Sequence, residues 1–146
     1  MPPIPPYVLA LDVGSTSIRA RLYDTQAQLI EGVGHEIRRR ASMDGLEDPE
    51  QLRNTCETVI SATLKEAGPA CSDIAAVAMA CFVGNVVGVD TEGNAVTPLY
   101  TYAHSGSGPE VEQIKQIVDV DATHEATGAP LHTSYQAPRL LWIKNH

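Results

Sequence analysis

The sequence predicts an α/β fold with a mixed sheet that opens as an antiparallel three-strand meander. Three features point there: short alternating runs joined by turns up to Ile37, a helical apolar stripe from Pro49 to Ala67, and a continuous apolar run from Ile74 to Val83. Tyr7 to Leu11 is an apolar run halted by Asp12-Val13-Gly14, the pattern of a buried strand that ends in a tight turn. Ile18, Ala20 and Leu22 then alternate with Arg19, Arg21 and Tyr23 as a second, half-solvated strand, and Leu29 to Ile37 forms a third. In the helix, Leu52, Cys56, Val59, Ile60, Thr63 and Leu64 share one face, with Asp48 as N-cap, Pro49 at the first position and Gly68-Pro69 as the stop.

Ile74 to Val83 reads as a central strand covered on both faces, interrupted by Gly84-Asn85. Val86 to Val89 and Leu99 to Tyr102 are short strand candidates on either side of the turn-rich Asp90 to Asn94, which predicts a hairpin. A second amphipathic helix carries Val111, Ile114, Ile117 and Val118 and is entered through a flexible Ser105 to Pro109. A helical turn from Asp121 to Thr127 closes at Gly128. A last helix with Leu140, Leu141 and Ile143 runs to His146 without a Gly or Pro stop.

A chain of 146 residues with 43% hydrophobic content is large enough for one domain with a real core. Eighteen acidic residues against 10 basic ones give a net charge of -8, a field that repels polyanions and argues against nucleic-acid binding despite Arg38-Arg39-Arg40. Cys56, Cys71 and Cys81 lack CxxC spacing, and two of them sit inside apolar runs as buried reduced thiols do, which favours the cytoplasm. The Pro-rich residues 1–6 carry no basic n-region, and no run of 18 apolar residues occurs, so neither a signal peptide nor a membrane span is expected.

The strongest chemical signal is Asp12-Val13-Gly14-Ser15-Thr16-Ser17-Ile18-Arg19 between two strands. Gly14 lets the backbone approach a phosphate, Ser15, Thr16 and Ser17 offer hydroxyls and amides to its oxygens, and Arg19 adds a positive charge. Asp12, at the end of a buried strand, suits a hydrated Mg²⁺ that bridges such phosphates. Taken as residues alone, the same run is also an ordinary polar hairpin turn.

The longer run Leu9 to Asp24 resembles the first phosphate motif of the FGGY carbohydrate kinases, part of the actin, Hsp70 and hexokinase-like superfamily. Three later stretches are also similar to that family: Asp48-Pro49-Glu50-Gln51, Thr97 to His104, and Gly128-Ala129-Pro130 followed by Ala137 to Lys144. Gluconate and xylulose kinases are nearest. The resemblance implies a partial actin-like ATPase (ribonuclease H-like) domain, with residues 7–146 as the truncated N-terminal part of domain I. It implies phosphoryl transfer from MgATP to a sugar or sugar-acid hydroxyl. Because the family's catalytic Asp lies downstream of these motifs, it also implies inactivity of this chain alone, and it leaves room for a homodimer of the full-length protein.

The sequence departs from the pattern on the sugar side. Val83-Gly84 stands where those kinases have a Met-His pair, and the Trp-x-Asp-x-Arg positions fall on Tyr102, His104 and Gly106. Gly84, Asn85, Tyr102, His104 and Tyr135 are the substrate-side candidates. Their plainer readings are turn formers for Gly84 and Asn85, a surface residue for His104 and a core aromatic for Tyr135. Trp142 reads as core packing. The alternative function is a non-catalytic superfamily member that binds sugar or nucleotide in a regulatory role. A chaperone-type ATPase fits less well, because the stretch from Pro138 to Trp142 resembles the sugar kinases.

Overall fold

The computed structural model describes residues 4–146; Met1, Pro2 and Pro3 of the Pro-rich tail lie outside the described residues. The chain divides into two compact units, residues 4–41 with 50–82 and residues 42–49 with 83–146.

The first unit holds β1 (Tyr7–Val13), β2 (Ser17–Tyr23), β3 (Leu29–Arg38), helix α1 (Pro49–Ala67), a 3-10 segment (Gly68–Asp73) and β5 (Ile74–Cys81), with β4 (Leu46–Glu47) belonging to the other unit. The sheet order is β3-β2-β1-β5, with β1 antiparallel to β2 and parallel to β5. The meander, α1 and the α/β class are as the sequence predicts.

Alternation does the sorting. Leu9, Leu11 and Val13 on β1 and Ile18, Ala20 and Leu22 on β2 are buried in one cluster with Val59 and Ala67 of α1, while Leu52, Cys56, Ile60 and Leu64 pack at its margin. Thr63 is fully buried among them and satisfies its hydroxyl by donating to the Val59 carbonyl at 2.9 Å, the usual way a helix hides a threonine.

β5 corrects the reading of a central strand covered on both faces. It is the edge of the four-stranded sheet, and Val77 and Met79 are 64% and 70% exposed. An apolar run records that both faces suit burial, not that covering elements lie within this chain. Cys81 is exposed for the same reason, which corrects its reading as a buried thiol, whereas Cys56 and Cys71 are half-buried and free.

The second unit contains β4, β6 (Leu99–Tyr100), α2 (Gly108–Lys115), α3 (Val120–Thr127) and α4 (Gln136–Asn145). The turn at Asp90 forms as predicted, closed by the Asp90 N–H to the Asn94 carbonyl at 2.9 Å. The hairpin around it forms through isolated bridges: Val86 exchanges backbone hydrogen bonds with Tyr100 of β6 and Val89 pairs with Ala95, while β6 pairs also with β4. α3 starts at an Asp119 cap whose carboxylate accepts from the Ala122 N–H, and ends at Gly128 in the left-handed conformation.

Three smaller expectations are corrected in this unit. Of the α2 stripe only Val111 is buried; Ile117 is 77% exposed because α2 ends at Lys115, before the stripe completes. The Ser105 to Pro109 segment is anchored rather than flexible, since Ser107 is fully buried and its hydroxyl donates to the Thr133 carbonyl. In α4 the inward face carries Pro138 and Arg139, while Leu140 is 54% exposed.

Leu22→Ala is expected to cost about 2–5 kcal/mol, because it empties a fully buried site beneath α1. Val77→Ala on the exposed edge should stay within about 0.5 kcal/mol. Chemical denaturation of the two variants, followed through the unfolding of the sheet, separates these outcomes.

Candidate functional site

In the first unit the loop between β1 and β2 is a tight hairpin. The Gly14 N–H donates to the Ser17 carbonyl at 2.8 Å, and a Cβ on Gly14 would stand 2.9 Å from that oxygen, so glycine is required by close approach. Val13 pairs with Ile18 and Asp12 with Arg19. Partners across an antiparallel pair share a face, so Val13 and Ile18 point into the core while Asp12 and Arg19 stand together on the opposite face. There the Arg19 Nε lies 3.4 Å from the Asp12 carboxylate, and Arg19 Nη2 donates to the Ser17 hydroxyl at 2.7 Å.

The hairpin is braced from both sides. From the end of β3, the Arg39 N–H donates to the Thr16 carbonyl at 2.8 Å and its guanidinium reaches the Gly14 carbonyl at 3.4 Å. From the end of β5, the Phe82 N–H donates to the Val13 carbonyl at 2.9 Å, and the Arg39 guanidinium stands 5.9 Å from the Phe82 ring centroid. These bonds consume loop carbonyls. Among the described residues the N–H groups and hydroxyls of Ser15 and Thr16 take no partner, so the tip presents unspent donors while the Gly14, Thr16 and Ser17 carbonyls are occupied. That is the polarity an anion meets favourably.

The structure therefore brings Asp12, Gly14, Ser15, Thr16, Ser17 and Arg19 into one loop. Its donor set fits phosphate oxygens. Asp12, with its side chain 52% exposed, can meet a hydrated cation through water, although Arg19 already balances its charge. Sequence reasoning missed Arg39; the only signal was its place in a run of three arginines.

The substrate-side candidates lie in the second unit and gather around a residue not singled out from sequence. Arg139 is fully buried and donates to the carbonyls of Gly84, Thr133 and Ser134. The Ser134 hydroxyl in turn donates to the Tyr102 carbonyl at 3.2 Å, and a Cβ on Gly84 would lie 3.5 Å from that of Tyr102. Gly84 and Tyr102 are thereby held beside the Ser134-Tyr135 segment. Half-buried Asn85 follows Gly84, and Tyr102 and Tyr135 are 51% and 45% exposed. Tyr135 is thus no core aromatic. A lone cation inside the apolar run Ala137 to Ile143 was the available signal for such a cage.

His104 is not the surface residue of its plainer reading. It is buried between Tyr100 and Trp142, with ring centroids 5.2 and 4.9 Å away, and Trp142 also stacks on His146. Burial holds its pKa below the ordinary value; the positive charge of Arg139 pushes the same way, and the Asp44 carboxylate opposes them.

With this geometry in view, the comparisons with known proteins converge. Residues 7–146 match the N-terminal domain of the FGGY family of carbohydrate kinases. This chain belongs to that family. It is 23% identical over 143 residues to the gluconokinase of Bacillus subtilis (strain 168), covering 95% of this chain and 27% of that protein. It is 32% identical over 150 residues to an autoinducer-2 kinase of Escherichia coli O9:H4 (strain HS), covering 96% of this chain and 27% of that protein. The crystal structure of a xylulose kinase from Rhodospirillum rubrum superposes with a TM-score of 0.83 at 24% identity over 96% of this chain and 29% of that one. The FGGY chain described here thus spans little more than a quarter of these relatives, and its fold is a partial actin-like ATPase domain.

Because the folded His104 imidazole titrates below its ordinary 6.5, the unfolded chain takes up the proton first. The stability contributed by the buried neutral ring is therefore full above about 6.5 and lost as the pH falls below it. Urea unfolding at pH 7.5 and 5.5 should show this decline in the native chain, and His104→Phe, which keeps an aromatic between Tyr100 and Trp142, should remove that part of it.

Proposed function

We propose that this chain is the N-terminal region of an ATP-dependent carbohydrate kinase that transfers a phosphoryl group from MgATP to a hydroxyl of a sugar or sugar acid. The observation that carries the reading is the β1–β2 hairpin, whose tip keeps the Ser15 and Thr16 donors unspent while the carbonyls of Gly14, Thr16 and Ser17 are bonded away. In this assignment Gly14, Ser15, Thr16 and Ser17 receive nucleotide phosphates through backbone and hydroxyl donors, and Arg19 supplies positive charge. Asp12 holds a Mg²⁺ ion through its waters, and the ion neutralises phosphate charge when bound.

On the acceptor side Tyr102 and Tyr135 offer exposed ring faces to a sugar, and Gly84 and Asn85 border it. His104 supports that wall from behind through its aromatic neighbours. No residue of the chain is assigned as general base, so the chain is inactive alone on this reading, as its 27% coverage of the gluconokinase also favours. The reading places it in the cytoplasm, where ATP is available and Cys56, Cys71 and Cys81 stay reduced.

A second reading, a non-catalytic member that binds sugar or nucleotide in a regulatory role, draws on the sugar-side replacement of a carboxylate and a guanidinium by His104 and Gly106. Expression of the full reading frame and assay of phosphoryl transfer to sugars divides the two.

Isothermal titration with MgATP tests the loop. Weak binding, roughly 100 µM or weaker, is expected, in keeping with phosphate contacts alone. Thr16→Ala and Asp12→Ala should each weaken it by about tenfold. Unchanged affinity in both variants would sink the assignment, and low-micromolar binding by the native chain would contradict its reading as an incomplete site.

A further inference from the structure

The chain has 10 basic residues against 18 acidic ones, yet three arginines stand in succession where β3 ends, and they border a cavity of about 410 Å³. Ile37 of β3 and Leu52 of α1, both packed at the margin of the core, give the cavity an apolar floor. Gln51 and Thr55 of α1 and Arg38, Arg39 and Arg40 complete its lining.

The three arginines are not equivalent. Arg39 is engaged with the Gly14 carbonyl and the Phe82 ring. Arg38 and Arg40 are exposed and, among the described residues, make no ion pair or hydrogen bond through their side chains. Arg53 of α1 behaves differently again, since Glu50 and Glu57 hold it at 2.8 and 2.5 Å. In a chain this acidic, two guanidinium groups left without carboxylates beside a cavity are poorly explained as a solvated face. Their planar forks match phosphate oxygens. The volume is that of a small-molecule site rather than of a bare ion, and the apolar floor suits a carbon skeleton.

We propose that this cavity binds the phosphomonoester of a small hydroxylated metabolite, with Arg38 and Arg40 on the phosphate and the carbon skeleton over Ile37 and Leu52. The site is distinct from the residues assigned to nucleotide phosphates. It is linked to them through Arg39, whose N–H holds the Thr16 carbonyl at 2.8 Å and whose guanidinium holds that of Gly14 at 3.4 Å. Occupancy of the cavity therefore reaches the loop tip through one residue. The charge balance also excludes a long polyanion, which the net charge of -8 repels beyond this patch.

The test is an amide and arginine-Nε NMR titration of the full chain with glycerol phosphate, with inorganic phosphate, and with sodium chloride at matched ionic strength. Glycerol phosphate should shift Leu52, Thr55 and the Arg38 and Arg40 Nε signals saturably, with Gly14 and Thr16 following, and inorganic phosphate should act at higher concentration. Arg40→Ala should weaken the response by roughly tenfold, and Thr55→Glu, which sets a carboxylate in the lining, should abolish it at cavity and loop together. Non-saturating shifts, an equal response to chloride, or an unaltered response in both variants would overturn the site. Shifts confined to the cavity would overturn the link through Arg39. Loss of any MgATP response with the glycerol phosphate response intact would count against the nucleotide reading and leave this site standing.

Discussion

Everything in the first unit follows from how closely the chain folds back at Gly14. Its N–H meets the Ser17 carbonyl at 2.8 Å, leaving no room for a Cβ, and this closure sets β2 against β1 with Val13 opposite Ile18. In a strand pair a slip of one residue turns every side chain to the other face. The same closure therefore decides that Leu9, Leu11, Ile18, Ala20 and Leu22 meet α1, and that Asp12 and Arg19 stand together on the far side. Core and candidate site are two faces of one register. A larger residue at Gly14 would disturb both, so the loop cannot be altered as though it were a surface turn.

What was legible in the sequence was what local patterning encodes. The meander, α1 and the Gly128 stop came from alternation, helical spacing and punctuation, all properties of neighbouring residues. The rest depended on partners distant in sequence. β5 was recognisable as an apolar strand, but only the sheet order shows that it is an edge. β4 has two residues and becomes a strand solely by pairing with β6. Arg39 and Arg139 act by donating to carbonyl oxygens, and every residue carries a carbonyl, so no motif announces which ones they will find. The phosphate-side candidates are contiguous and were readable together. Those on the substrate side are scattered, and Arg139, the residue that gathers them, was legible only as a charge in an apolar stretch.

The second unit is held by a different balance of forces. Its buried apolar side chains are Leu99, Tyr100, Val111 and Pro138, whereas Glu47, Thr101, His104, Ser107, Glu110 and Arg139 are its buried polar ones. Burying a cation without a paired carboxylate is costly unless its donors are used. The three carbonyls around Arg139 take its two Nη groups while its buried Nε stays without a partner, and because they come from Gly84 and from Thr133-Ser134 they also pin the loops that carry the substrate-side candidates. The same buried charge disfavours protonation of His104, so cage and neutral imidazole are compatible.

This packing couples positions 104 and 106, two of the three that the sequence resemblance sets against the Trp-x-Asp-x-Arg pattern. A Cβ at Gly106 would lie 2.8 Å from the His104 ring, so with the imidazole seated against Tyr100 and Trp142 no larger residue fits there without moving it. An arginine at 106 and a histidine at 104 exclude one another in this conformation. The imidazole at 104 and the glycine at 106 are thus one coupled feature of the packing. It builds a buried aromatic stack, and leaves Tyr102 and Tyr135, exposed rings beside the Arg139 cage, to present the unit's surface to whatever approaches it.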